Sequence, residues 1–310
     1  MKAIVCTKYG PPDVLQLGEV DKPGLKDNEV LVKVFATTVS VVDRRIRGLQ
    51  IPGPGKLFMQ LRFGFLKPRT PILGRYLAGE IDAVGKSVRR FRVGDQIYAR
   101  AGRFGAYAEY ISLPEDGVMT LKPSNVSYAE AVAVPFGGSC ALHFLKRKGD
   151  IRSGQKVLIY GASGAVGSSA VQIAKYFGAT VTGVCSTANL ELVKSLGADT
   201  VLDYVKEDFT KHDGLYDIVF DAVGKISSKA GEKVLKPGGK YISVFTSGTA
   251  QILAEDFVLL AKLVEAGKIR PVVDRRYPLE RMAEAHRYAD EGHVKGNVVI
   301  DVEHDCPRHR

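Results

Sequence analysis

VLIYGASGAVGSSAVQIAKYFGATVTGVCSTANLELV, residues Val157–Val193, is the stretch that decides the fold. It opens with a short apolar run and turns through Gly161-Ala162-Ser163-Gly164-Ala165-Val166-Gly167. It then continues as an amphipathic helix into a second apolar run. Strand, glycine turn and helix in that order form a βα unit. The turn lets the backbone approach a phosphate closely, and the phosphate charge rests on the helix N-terminus. Ala162 stands at the first glycine of the usual GxGxxG spacing. A tight βα turn without a ligand would use the same glycines, but the βα units in register around this one favour a nucleotide.

Outward from this stretch the alternation continues through DTVLDY, DIVFDAV, SSKAGEKVLK, GKYISVF and EDFVLLAKLVEAG. Unbroken apolar strands between amphipathic helices predict an α/β domain, a doubly wound parallel sheet covered on both faces, over residues 123–268. Before it, EVLVKVFATTV, EIDAVG, DQIYAR and AYAEYISL are short runs cut by Gly, Pro, Asn and Asp, the pattern of an all-β unit. After Ile269, PVVDRRYPL, one helix through about Asp290 and NVVIDV have no sheet partner of their own. They are expected to return to the first domain, giving residues 1–122 plus 269–310.

At 310 residues with 45% hydrophobic and 25% charged, the composition is that of a globular protein with one or two cores. No apolar run reaches the roughly 18 residues of a membrane span. MKAIVCTKYG lacks the apolar region of a signal peptide. Cys6, Cys140, Cys185 and Cys306 are far apart and form no CxxC pair, against both a disulfide framework and a cysteine zinc site. A cytoplasmic setting is the expectation.

The net charge of +10 is concentrated between Asp43 and Arg103, where 14 Lys/Arg face 4 Asp/Glu. The basic, apolar piece from Arg44 to Arg75 could lie on anionic lipid or contact nucleic-acid phosphates, which would make the chain a scaffold or binding protein. The favoured reading is a lid over a substrate cleft, lined by Phe58, Phe63 and Phe65, with no strong nucleic-acid or membrane signal.

In NAD sites an Asp or Glu about 20 residues past the glycines holds the ribose 2′-hydroxyl. Here Cys185-Ser186-Thr187 occupies that place, and no acid occurs from Gly178 until Glu191. Two hydroxyls would not repel a 2′-phosphate, so NADP(H) is favoured over NAD(H).

Taken together, LAGEIDAVGKSVRRFRVGDQIYA (Leu77 to Ala99), GAYAEYISLP, AVPFGGSCALHFL, the glycine loop, KSLGADTVLDY and GKIRPVVDRRYPLERMAEAHRYADEGHVKGNVVI carry a resemblance over essentially the whole chain. The sequence resembles the medium-chain dehydrogenase/reductase superfamily, and more specifically its zinc-free quinone and enone (alkenal) oxidoreductases. The resemblance implies a GroES-like β-domain plus a Rossmann domain. It also implies hydride transfer to a quinone or to the C=C of an α,β-unsaturated carbonyl. Zinc relatives carry a His-Glu pair where this chain has Arg75-Tyr76, and a cysteine ligand where it has Ser40. Guanidinium does not ligate and a neutral hydroxyl ligates poorly, so no zinc is expected.

By the same resemblance Ser40, in the early catalytic loop, is either a hydrogen-bond donor to a substrate carbonyl or a loop-capping serine. Tyr76, Phe58, Phe63, Cys140 and Phe245 would line the substrate pocket, Cys140 as a small wall residue. Gly161, Ala162, Ser163, Gly164, Ala165, Val166, Gly167, Ser186, Thr187 and Tyr204 would contact the cofactor. Val223 and Phe245 would lie where it crosses the strand ends, and Asn297, where relatives hold a lysine, is placed among the cofactor contacts. The substrate would be a small electrophilic carbonyl or quinone. The short connection from Phe245 to Phe257 fits a monomer as well as a homodimer.

Overall fold

The computed structural model describes residues 1–49, 63–65, 67–211 and 215–304. Contacts divide the chain into two compact units, residues 1–133 with 273–310 and residues 134–272. No helix among the described residues is long and apolar enough to cross a membrane.

The first unit is built on β3 (Glu29–Thr38), whose Val30, Val32 and Val34 alternate into the core. One edge of β3 pairs antiparallel with β4 (Tyr76–Val84). The other edge is shared: β6 (Tyr110–Pro114) takes its first half and β14 (Asn297–Asp301) its last residues. Beyond β4 lie β5 (Gln96–Arg100) and β7 (Met119–Leu121), and beyond β14 lies β13 (Val273–Pro278). A separate antiparallel pair joins β1 (Lys2–Cys6) to β2 (Leu15–Glu19). The last segment of the chain therefore completes a sheet begun by the first.

The helix Tyr128–Val132 belongs to this unit, although the sequence reading groups it with the nucleotide domain. Its packing explains the assignment. Tyr128 stacks on Phe35 of β3 at 4.7 Å between centroids, and Asn297 Nδ2 donates to the Ala133 carbonyl at 2.8 Å.

The second unit is a five-stranded parallel sheet in the order β10 (Thr200–Asp203), β9 (Thr180–Cys185), β8 (Lys156–Tyr160), β11 (Tyr216–Asp221), β12 (Leu235–Ser243). Val157, Leu158 and Ile159 of β8 are fully buried, because a central parallel strand is covered on both faces. The chain runs outward from β8 to β10 and then crosses to β11 on the other side. Next to β8 the strand order reverses, and such a point opens a crevice at the carboxyl ends of the strands.

A buried polar cluster fixes the return segment in the first unit. The helix Val41–Gly48 begins with a capping box in which Ser40 and Asp43 bond reciprocally, and its last turn carries Arg47 with 1% of its side chain exposed. Arg47 Nη2 donates to Asp290 Oδ2 at 2.7 Å, and Arg44 Nε to Oδ1 at 2.7 Å. Asp290 closes the helix Met282–Asp290, where His286 is wholly buried with Nε2 3.2 Å from the Tyr107 hydroxyl.

Burial, reinforced by the Arg47 charge, lowers the His286 imidazole from its ordinary 6.5 to about 3. Unfolding therefore takes up a proton between these two values, and stability falls as the pH drops from 6.5 toward 3. This one group contributes a slope of up to about 1.4 kcal/mol per pH unit. The Tm of His286→Gln should accordingly depend less on pH than that of the wild type between about pH 7 and pH 4.5. Parallel Tm profiles for the two proteins would contradict this.

Candidate active site

The carboxyl edge of the parallel sheet gathers most of the residues expected to hold a cofactor. Leaving β8, Gly161 adopts φ +77°, and a Cβ there would strike the Val223 side chain. A Cβ on Gly167 would collide with the Gly161 carbonyl oxygen, so the first turn of the helix Ala165–Tyr176 lies directly on the loop. Gly164 is the N-cap and supplies no capping side chain. The first N–H groups of a helix have no intrahelical partner and can be given to an anion. This cradle fits a pyrophosphate held by backbone N–H groups.

Val223 and Phe245 lie just past the ends of β11 and β12. Phe245 is half exposed and lies across Gly224, where an added Cβ would meet its ring. The residue that shapes this corner is Asp221, which sequence reasoning missed. It is fully buried at the end of β11 and accepts from the N–H groups of Val223, Gly224 and Ile226 at 3.1, 2.8 and 3.0 Å. An acid closing an apolar strand before Gly is the signal that could have revealed it.

At the end of β9 the structure corrects one inference. Asp203 pairs in register with Cys185, which brings a carboxylate from β10 beside the loop that β9 itself leaves without acid. Thr187 Oγ1 donates to Asp203 Oδ2 at 2.6 Å, so its hydrogen is committed and does not face a phosphate. That bond, aided by the Val205 N–H and Lys206, holds the Asp203 carboxyl below the usual range. Ser186 is not engaged in this way: its oxygen accepts from Asn189. Tyr204 is half exposed, with its ring 6.0 Å from that of Tyr160.

The other expected site residues are distributed differently. Cys140 is buried in the helix Pro135–Ala141 of the second unit. Ser40, Tyr76, Phe63 and Asn297 belong to the first. Ser40 Oγ donates to Asp43 Oδ2 at 2.5 Å, and the same oxygen caps the helix by accepting from Asp43 N, so its single hydrogen is given to that carboxylate. Burial pushes the Asp43 carboxyl upward, against the Ser40 hydrogen bonds and the Arg75 charge. Asn297 is buried, with its amide given to Ala133, which makes it a strut of the sheet. Tyr76 is buried at the start of β4, and Phe63 packs edge-on to Phe104 at 6.0 Å. Phe58 lies outside the described residues. Among the described residues no three His, Cys, Asp or Glu side chains group so as to hold a metal ion.

Comparison with known families agrees with this geometry. Residues 26–123 match the alcohol dehydrogenase GroES-like domain, and residues 165–268 and 245–300 match two zinc-binding dehydrogenase models. The NADPH-dependent alkenal/one oxidoreductase of Arabidopsis thaliana chloroplasts is 34% identical over 97% of this chain and 79% of its own. The 2-methylene-furan-3-one reductase of Solanum lycopersicum is 35% identical over 97% and 79%. The solved quinone oxidoreductase of Coxiella burnetii superposes with a TM-score of 0.86 at 30% identity, covering 98% of this chain and 99% of that one. The chain belongs to the medium-chain dehydrogenase/reductase superfamily, and its relatives include alkenal/one and quinone oxidoreductases.

The cradle makes a direct prediction. Gly167→Ala should weaken NADPH binding by at least about tenfold, because the methyl group must displace the Gly161 carbonyl or the helix. Calorimetric titration would read this, and unchanged affinity would show that the loop does not carry the pyrophosphate.

Proposed function

We propose that this protein is a zinc-independent oxidoreductase that uses NADPH to reduce a quinone or the C=C of an α,β-unsaturated carbonyl. The observation that carries the reading is the glycine cradle at the strand-order reversal, in a chain similar along nearly its whole length to an NADPH-dependent alkenal/one oxidoreductase. In this reading the turn from Gly161 to Gly167 and the start of its helix bind the pyrophosphate. Val223 and Phe245 form the wall along which the dinucleotide crosses the sheet edge, on a backbone fixed by Asp221. Ser163, Ser186 and Tyr204 surround the adenosine ribose.

When bound, the cofactor supplies a hydride, and the protein's own task is orientation and exclusion of water. The zinc-independent part of the proposal is supported by donor chemistry. Where zinc relatives place their first ligands stand Ser40, whose hydrogen is given to Asp43, and Arg75, a permanent cation. Electron-poor C=C bonds and quinones accept hydride with less help from a Lewis acid than alcohol oxidation needs.

NADPH oxidation should be seen with 2-alkenals, enones or quinones, and turnover of simple alcohols alone would reject the proposal. NADPH should be preferred to NADH by a modest margin, because no side chain of Ser186, Thr187, Ala188 or Asn189 is cationic. Ala188 is exposed beside the ribose loop, so Ala188→Arg should raise the preference about tenfold, whereas Ser186→Asp should shift it toward NADH. The kcat/KM for both cofactors in the three proteins decides the matter, and a wild type that prefers NADH would refute the cofactor assignment.

A further inference from the structure

Asn189 is the last residue of a 3-10 turn, Thr187–Asn189, that runs directly into the helix Leu190–Ser195. The Leu190 N–H is taken by the Thr187 carbonyl, and the Asn189 side chain makes no bond to the helix it enters. The residue is 9% exposed, and its side chain reaches sideways. Nδ2 gives one hydrogen to Ser163 Oγ at 3.0 Å and the other to Ser186 Oγ at 3.1 Å. Oδ1 is buried with no partner among the described residues. The amide thus ties the glycine turn after β8 to the turn after β9.

The consequence falls on the two serines. A hydroxyl has one hydrogen to donate and two lone pairs to accept with. Asn189 occupies a lone pair on each oxygen, so the hydrogen of each is directed to some other acceptor. Neither hydroxyl donates to a protein group among the described residues. Thr187, the neighbouring hydroxyl, differs because its hydrogen belongs to Asp203. Two oxygens bonded to one nitrogen are no more than about 6 Å apart, a span that a single phosphoryl group bridges. Paired donors without an acceptor of their own, beside a dinucleotide cradle, form a site for an anion.

We propose that Asn189 is a positioning residue that holds Ser163 and Ser186 as a two-donor clamp for the 2′-phosphate of NADPH. The clamp rests on the NADPH reading above and gives it a physical basis that needs no cation. Asn189 itself does not touch the phosphate; it sets the direction in which two hydroxyls donate.

The test measures binding of adenosine 2′,5′-bisphosphate and of adenosine 5′-monophosphate to the full chain by calorimetry, and takes the ratio of the two Kd values. Asn189→Leu, which removes the amide without adding charge, should lower the preference for the 2′-phosphorylated ligand about fivefold to tenfold. Binding of the monophosphate should stay within about twofold. The double variant Ser163→Ala, Ser186→Ala, with Asn189 intact, should lose at least as much of the preference. Adding Asn189→Leu to it should change nothing further, since the amide acts only through those hydroxyls.

Equal weakening of both ligands by Asn189→Leu, or a further loss in the triple variant, would show a merely structural role and overturn the proposal. If Asn189→Leu does not fold by circular dichroism, the serine double variant decides alone, and an unchanged ratio there overturns the clamp. A wild type indifferent to the 2′-phosphate would instead remove the NADPH reading, and the clamp with it. A wild-type preference that survives in every variant removes only the clamp.

Discussion

A guanidinium with 1% of its side chain exposed must find a carboxylate, and for Arg47 that carboxylate is Asp290, 243 residues further along the chain. Leaving a buried charge without its partner costs about 3–5 kcal/mol, an appreciable part of a domain's net stability. The first unit is organised by this need. Arg47 is placed by a helix whose start is fixed by the Ser40–Asp43 capping box, and Asp290 by a helix whose inner face carries His286, Met282 and Ala285 into the core. β14 then pairs with the last residues of β3, and β13 with β14. The polar cluster fixes the orientation of the return segment, and the apolar face around it supplies most of the burial.

The second unit solves a different problem. Its central strands β8, β9 and β11 are buried along most of their length, so the sheet specifies its own burial, and the expected chemistry lies at the carboxyl edge, where the backbone leaves the sheet. Each turn there is secured by a distinct device. Gly161 and Gly167 allow loop and helix to touch, Asp221 gathers three N–H groups, Asp203 accepts from Thr187, and Asn189 bridges two serines. These devices use buried polar groups at short strand ends, and each bond made there fixes the backbone of its turn.

Much of this architecture is legible along the chain, because periodicity and glycine spacing are local properties. The period of two in Val30, Val32 and Val34, the unbroken run Val157–Ile159 and the capping pair Ser127 and Glu130 each report their element directly. The resemblance over the full length then supplies the two-domain plan and the nucleotide loop. The reading weakens where a side chain's partner is distant in sequence. Ser40 could be read as donor or cap, and only the position of Asp43 Oδ2 shows where its hydrogen goes. Asn297 stood in line with a cofactor contact, yet its amide meets the Ala133 carbonyl, 164 residues away.

The sequence by itself determined the α/β class, the order of strands and helices, the glycine cradle and the residue types at the zinc-ligand positions. All of these depend on neighbours within a few residues or on residue identity alone. Only the tertiary structure decided the charge and donor balance around the ribose loop. Register between β9 and β10 brings Asp203 to Thr187, and the turn after β8 brings Ser163 to Asn189. The direction of a hydroxyl hydrogen follows from which acceptor lies nearest in space. Sheet pairing and loop closure set that distance, and no periodicity in the chain encodes it.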